Sequence, residues 1–246
     1  TTMSPLYSPR EIAHQLKDSG AKTIVCLDLL YEKVEKVREE ASLKQAIVTS
    51  IEEYLPGMGR FMGKLSGKTL SAGISGTSGV LLFQDLLEKY PPNPPKVQIN
   101  PKEDVAALPY TGGTTGNPKG AVLTHSNLVA LQEQVRVYWP EIQDGKESSV
   151  AVLPFYHIYG QSVIMLTGAT RGGMDIMFAR PELDDILDAI QKYGVTLFYG
   201  VPTLYKYLVD EPKTKRINWK KLKYLYCGAD TLHKETRENW VRLTEK

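Results

Sequence analysis

Residues 110–120 read Tyr110-Thr111-Gly112-Gly113-Thr114-Thr115-Gly116-Asn117-Pro118-Lys119-Gly120. Four glycines let the backbone approach a ligand closely. Successive N–H groups in such a loop form an anion-binding nest. The threonine hydroxyls can donate to phosphate oxygens, and Lys119 adds a compact positive charge suited to phosphate. The stretch is not a Walker loop, which ends in Gly-Lys-Ser/Thr and runs straight into a helix. Here Lys119 lies between Pro118 and Gly120, and the apolar Ala121-Val122-Leu123 that follows reads as a strand. The spacing is also wrong for the dinucleotide fingerprint. A hairpin-like turn between two strands, gripping a triphosphate, is therefore expected.

On both sides of this loop, short β-rich runs alternate with helical patterns. Upstream, a helix is expected over residues 9–18, opened by Pro9 and closed by Gly20, with Ile12, Ala13 and Leu16 on one face. Lys22–Leu27 and Gln45–Thr49 read as strands. Between them Leu30, Val34, Val37 and Ala41 form an apolar stripe, with Glu32 and Lys36 paired one turn apart. Val105–Tyr110 reads as the strand entering the loop. Ser126–Trp139 reads as a helix capped by Thr124 or Ser126.

Pro140 and Asp144-Gly145 mark a break. After it come strands at 149–153, 174–178, 195–199 and 224–227, alternating with helices at about 158–168, 183–192, 203–209 and 233–244. This rhythm predicts an α/β fold with two α/β subdomains, 1–140 and 141–246, each a mostly parallel sheet flanked by helices.

Residues 55–82 break the rhythm with seven glycines and read as a surface insertion. The alternative is a patch touching a membrane surface or a partner, because Met58, Phe61 and Met62 sit among Arg60, Lys64 and Lys68. The basic run 213–223 (KTKRINWKKLK) reads as a solvated loop.

Composition narrows the function classes. Thirty basic and 28 acidic residues leave a net charge of +2, which gives no electrostatic reason to expect nucleic acid. Two cysteines in 246 residues make no disulfide framework and suit a reducing cytoplasm. The four histidines are scattered, without zinc-ligand spacing. No apolar run is long enough for a transmembrane helix, and no signal peptide is visible. The first residue is not Met, and the last stand in a helical pattern, so both ends read as cut.

Taken together, YTGGTTGNPKG resembles the signature of the adenylate-forming superfamily: acyl- and aryl-CoA synthetases, luciferases and peptide-synthetase adenylation domains. The usual form has Ser or Thr at the position of Gly112, and Gly also occurs there among fatty acyl-CoA ligases. Pro5-Leu6-Tyr7-Ser8-Pro9-Arg10-Glu11 resembles a stretch typical of those ligases. Leu153-Pro154-Phe155-Tyr156-His157-Ile158-Tyr159-Gly160 is similar to the family's second core motif. Tyr199-Gly200-Val201-Pro202-Thr203 and Cys227-Gly228-Ala229-Asp230 are similar to its acyl-pocket and nucleotide-pocket segments.

The resemblance implies a two-step ligase that uses ATP, Mg²⁺ and coenzyme A: adenylation of a carboxylic acid, then thioester formation. It implies Thr111 near Mg²⁺ and the phosphates, with Thr114, Thr115 and Lys119 on the β- and γ-phosphates and the whole loop 111–120 at the nucleotide. His157 would stand where acyl pocket meets adenylate, with Lys119 the second catalytic candidate. Tyr199, Gly200 and Val201 would line the acyl pocket, and Gly228, Ala229 and Asp230 would flank the adenine.

The family's later motifs (an aromatic-Gly-x-Thr-Glu segment, a Thr-Gly-Asp and a C-terminal catalytic Lys) do not occur in these residues. The chain therefore reads as an interior fragment of the large N-terminal domain, inactive alone. The 155–160 stretch carries no Asp to pair with a substrate amine, and Val163–Leu166 is apolar, so a fatty acid is the expected substrate. An aryl acid such as a coumarate is the nearest rival and a luciferase-like oxygenase a remoter one. A non-catalytic nucleotide-binding module is the rival from another class.

Overall fold

A computed structural model describes residues 1–54, 74, 76–111, 117–178 and 180–245. The chain divides into two compact units. One comprises Thr1, Met3–Asn100 and Tyr110–Val122, and the other Thr2, Pro101–Pro109 and Leu123–Lys246. The helix at 125–138, which the sequence reading joins to the first subdomain, thus falls in the second unit.

In the first unit, α1 (Pro9–Ser19) starts on a capping box. Ser8 Oγ accepts from the Glu11 amide, and the Glu11 carboxylate accepts from the Ser8 amide at 2.8 Å. The Ser8 amide and then the Ser8 hydroxyl, both donating to it, hold the Glu11 carboxyl below its ordinary pKa. Gly20 ends the helix in the left-handed conformation, φ 65°. Ile12, Ala13 and Leu16 are buried, as their spacing predicts, against Val34, Val37 and Ala41.

The sheet of this unit runs β1 (Thr23–Leu27), β2 (Gln45–Thr49), β3 (Val80–Leu82), in that order and all parallel. α2 (Asp28–Glu35) crosses from β1 to β2, with Lys36 bridging Glu32 at 2.7 Å. β3 corrects the reading of 55–82 as an insertion throughout. Its last three residues form a strand, followed directly by α3 (Phe83–Lys89). Three apolar residues behind a glycine run are too few to show a period, which hid the strand. The membrane-contact reading falls mainly on 55–73, outside the described residues.

In the second unit, β4 (Val105–Ala107) pairs antiparallel with β7 (Leu123–Thr124). In the first, β5 (Tyr110–Thr111) pairs antiparallel with β6 (Lys119–Gly120). The single strand expected over 105–110 is thus two strands. The one expected over 121–123 is displaced to its flanks, since Ala121 and Val122 are unpaired. α4 (His125–Tyr138) begins on Thr124, whose hydroxyl accepts from the Asn127 amide.

The main sheet of the second unit contains β8 (Ser148–Ala151), β9 (Met174–Met177), β10 (Leu197–Gly200) and β11 (Tyr224–Cys227). Its order is β11-β10-β8-β9, all parallel. The crossovers are a π-helix (Gly160–Met165) continuing into α5 (Leu166–Arg171), then α6 (Leu183–Tyr193), then α7 (Pro202–Asp210). α8 (Lys234–Thr244) follows β11. Side chains alternate across β10. Phe198 packs with Leu187, Ile190, Trp219 and Trp240 on one face, while Leu197 and Tyr199 pack with Ile142, Leu153 and Ile164 on the other. Burial on both faces explains why the whole of β10 is apolar.

The basic run 213–223 is not a solvated loop. It forms two 3₁₀ turns, Pro212–Arg216 and Trp219–Lys221, with Thr214, Trp219 and Leu222 buried. Thr214 donates to the Leu208 carbonyl, and Trp219 Nε1 donates to the Thr214 carbonyl at 3.0 Å. Its charges face outward or pair, with Lys213 2.9 Å from Asp188 and Lys223 2.6 Å from Glu147. Charge density masked an apolar footing at every third to fifth residue.

Candidate functional site

The first candidate region is the hairpin of β5 and β6. Tyr110 stands opposite Gly120 and Thr111 opposite Lys119. Residues 111 and 119 face each other directly, so their side chains leave the ribbon on the same face. Both are exposed, as is Asn117, while Pro118 and Gly120 are half-buried. Gly120 packs closely on its neighbour, as a Cβ there would stand 3.1 Å from the Tyr110 ring. The residues on either side of the loop pair as antiparallel strands. Gly112, Gly113, Thr114, Thr115 and Gly116 lie outside the described residues.

α1 braces both legs of this hairpin. Asp18 Oδ2 accepts from the Tyr110 hydroxyl at 2.5 Å, and His14 Nε2 donates to the Pro118 carbonyl at 2.9 Å. His14 and Asp18 are one helical turn apart and share a face. Burial, and then the bond to Asp18, push the Tyr110 phenol up to about 12. Sequence reasoning missed this brace, because neither residue belongs to a motif.

The second region lies at the carboxyl edge of the four-stranded sheet. The strand order reverses between β8 and β10, since β9 is added on one side of β8 and β10 on the other. Open parallel sheets hold ligands in the crevice at such a reversal. Three segments singled out in the sequence leave this edge: 153–160 after β8, 199–203 at the end of β10, and 227–230 at the end of β11.

Main-chain bonds shape the first of these segments. The His157 amide donates to the Pro154 carbonyl at 3.0 Å, and the Gln161 amide to the His157 carbonyl at 2.9 Å. His157 is exposed, and its Nδ1 accepts from the Tyr159 amide at 3.2 Å. That bond leaves the neutral ring protonated on Nε2, so the ring presents an N–H to a ligand. Gly160 admits no other residue without movement, as a Cβ would meet the Pro154 carbonyl oxygen at 2.3 Å.

The other two segments meet the first. The Gly228 amide donates to the Gly200 carbonyl at 3.1 Å, joining the strand ends. A Cβ on Gly228 would lie 3.0 Å from the Tyr159 ring, and one on Gly200 2.8 Å from Tyr205. Burial, and then the Cys227 thiol, raise the Tyr159 phenol to about 12. The Tyr205 hydroxyl donates to the Tyr226 carbonyl at 2.8 Å. Ala229 holds a left-handed φ of 71° and is exposed beside Asp230. Asp230 Oδ1 accepts from the Thr231 amide at 2.7 Å, which fixes the turn. Tyr199 is buried and Val201 half-buried. An apolar cavity of about 300 Å³ opens between the ends of β8 and β9, lined by Val152, Phe155, Met177 and Phe178 among others.

The structure thus gathers His157, Tyr159, Tyr199, Gly200, Val201, Gly228, Ala229 and Asp230 at one sheet edge of the second unit. It places Thr111, Asn117, Pro118, Lys119 and Gly120 on the hairpin of the first. Tyr159, inside the 153–160 segment, and Tyr205, two residues past the 199–203 segment, set the glycine positions, and sequence reasoning assigned neither a role.

Known proteins resemble this chain in sequence and fold. A long-chain-fatty-acid–CoA ligase of Bacillus subtilis (strain 168) is 30% identical over 243 residues, covering 98% of this chain and 43% of that protein. A 4-coumarate–CoA ligase of Arabidopsis thaliana is 30% identical over 245 residues, covering 99% of this chain and 40% of its own length. The crystal structure of a long-chain-fatty-acid–CoA ligase from Archaeoglobus fulgidus superposes with a TM-score of 0.76 at 27% identity, over 98% of this chain and 43% of that one. The chain therefore spans less than half the length of these relatives. The AMP-binding enzyme family matches residues 1–246, motif segments and sheet edge included, and the chain belongs to that family.

Proposed function

We propose that the protein carrying this chain is an ATP-dependent fatty acid–CoA ligase, which adenylates an acid and then forms its thioester with coenzyme A. The observation that carries the reading is the sheet edge at 153–160. It offers an exposed imidazole N–H and an apolar cavity, with no carboxylate between Phe155 and Gly160. A charged acid tail would need a buried counter-charge there, and an alkyl tail needs none.

Lys119 and Thr111, exposed on one face of the hairpin, suit the phosphates of ATP. Magnesium, when bound, neutralises phosphate charge. Among the described residues no group of three or more His, Cys, Asp or Glu could hold a metal. The Thr111 hydroxyl fits the ion nonetheless, since Mg²⁺ takes few protein ligands and completes its shell with water and phosphate oxygens. In this reading His157 donates Nε2–H toward the acyl end, and Gly228, Ala229 and Asp230 flank the base. Two subdomains, 1–140 and 141–246, and a cytoplasmic location belong to the same reading, with peripheral membrane contact through 58–68 the alternative to a surface insertion there. No helix among the described residues is long and apolar enough to cross a membrane.

Release of AMP from the full-length protein, dependent on coenzyme A and screened over acids of graded length, tests the substrate. Activity on long alkyl acids is expected. A preference for coumarate-like acids would favour the aryl reading, consistent with the Arabidopsis relative, and no release with any acid would sink both. We further infer that residues 1–246 alone do not turn over. Pyrophosphate exchange by this chain in isolation would overturn that.

A further inference from the structure

The ladder of the β5–β6 hairpin is short: two residue pairs, Tyr110 with Gly120 and Thr111 with Lys119. A two-stranded ribbon is marginal in water by itself. α1 supplies two attachments. The Tyr110 hydroxyl donates to Asp18 Oδ2 at 2.5 Å on one leg, and His14 Nε2 donates to the Pro118 carbonyl at 2.9 Å on the other. Helix, ribbon and both bonds lie within the first unit. Four residues separate His14 from Asp18, about 6 Å along the helix axis. A single bond would leave the ribbon able to swing about it. A second bond, one turn away and on the other leg, removes that freedom.

The attachment also decides which way the next residues point. Successive side chains leave a strand on opposite faces. The Tyr110 side chain reaches to α1, so that of Thr111 leaves on the face turned from the helix. Lys119, paired directly with Thr111, leaves on that same face. Both are exposed. The base of the attachment is itself fixed. Ile12, Ala13 and Leu16 are buried with Val34, Val37 and Ala41, and the Ser8–Glu11 capping box and Gly20 set the ends of α1. His14 and Asp18 are therefore held by a packed helix, and they in turn hold the ribbon.

We propose that His14 and Asp18 are positioning residues for nucleotide binding: gripping the two legs from behind, they keep Thr111 and Lys119 turned toward the phosphates of ATP. Neither touches the nucleotide. They act by holding the hairpin in its binding orientation, and apparent affinity falls in proportion to the fraction of molecules that leave it. This rests on the reading of Thr111 and Lys119 as phosphate ligands.

Calorimetry of Mg·ATP binding to the full-length protein tests it. His14→Ala and Asp18→Ala should each raise Kd about three- to tenfold, the worth of one hydrogen bond. Asp18→Asn, whose amide oxygen still accepts from Tyr110, should restore most of the affinity. Lys17→Ala, on the same helix and paired with Glu40, should leave Kd unchanged. In a Lys119→Ala background each alanine change should cost less than it does alone, because it acts through the hairpin. A purely structural role lowers Tm and leaves Kd where it was, and that result, or full additivity with Lys119→Ala, would overturn the proposal. Should Asp18→Ala fail to fold, Tyr110→Phe breaks the same bond from the hairpin side, and an unchanged Kd there is equally fatal. A wild type that binds no Mg·ATP would sink the ligase reading instead. Hydrogen exchange then decides the bracing: faster exchange across β5 and β6 in the alanine variants, with β2 unchanged, upholds it, and unchanged exchange refutes it.

Discussion

Asp18 accepts a 2.5 Å hydrogen bond from the hydroxyl of Tyr110, a residue 92 positions further along the chain. One turn earlier on the same helix face, His14 holds the Pro118 carbonyl. Two helix residues outside every motif thus hold both legs of the hairpin that carries Thr111 and Lys119.

Replacing Tyr110 with Phe removes the first of these bonds and is expected to cost about 0.5–1.5 kcal/mol, toward the low end at a half-exposed site. The phenol is raised to about 12 in the fold. A raised pKa contributes stability that is present below the unfolded value near 10 and is lost as pH climbs toward 12. Denaturant titrations at pH 8 and above should show wild type losing more stability with rising pH than the Phe variant. Parallel losses would contradict the account.

Lys119→Ala should leave the fold intact, because the side chain is exposed. Removing a charge-assisted contact to phosphate should weaken Mg·ATP binding at least about tenfold, or about 1.4 kcal/mol. Calorimetry on the full-length protein measures this, and equal affinities would remove Lys119 from the phosphate site.

Gly160→Ala forces a methyl group to within 2.3 Å of the Pro154 carbonyl oxygen. Rigid backbone cannot yield as a flexible side chain can, so a loss of about 1–3 kcal/mol is expected. The turn that presents His157 should shift as well. Thermal unfolding reads the first effect, and a fall in turnover larger than any change in ATP affinity reads the second.

Lys223→Met leaves Glu147 without its ammonium partner. The lysine side chain is 33% exposed and the glutamate 5%, so the cost should be about 2 kcal/mol, below the 3–5 kcal/mol typical of a wholly buried pair. Burial opposes ionisation of Glu147. The Gln143 amide, Lys223 and Thr196 outweigh it and hold the carboxyl below its ordinary value. A depressed pKa contributes stability above the unfolded value near 4.3, lost as pH falls through the folded one. Urea titrations should therefore show the gap between wild type and variant narrowing below about pH 4. A constant gap would show that the pair is not the cause.

Much of this was legible in the residues. Strands at 45–49 and 224–227 stand where their apolar runs place them, and Pro9 and the glycine at 20 bound α1. The segments at 157, 199–201 and 228–230 are motif-borne, and strand order brings them to one edge. What stayed hidden is of two kinds. Val80–Leu82 and the footing of 213–223 are short apolar signals beneath a dominant local composition, glycine in one case and charge in the other. The Asp18–Tyr110 and Lys223–Glu147 bonds join residues far apart in sequence, which no local period reports.

The strand order carries a consequence for synthesis. Ser148–Ala151 meets its first neighbour, Met174–Met177, early, but its other side stays open until Leu197–Gly200 has been made. During that interval a parallel strand destined for burial keeps a bare hydrogen-bonding edge, the kind that recruits foreign strands. Slow translation across residues 178–196 would prolong the exposure. Yield of soluble protein should thus respond to codon choice there more than to the same changes within α1.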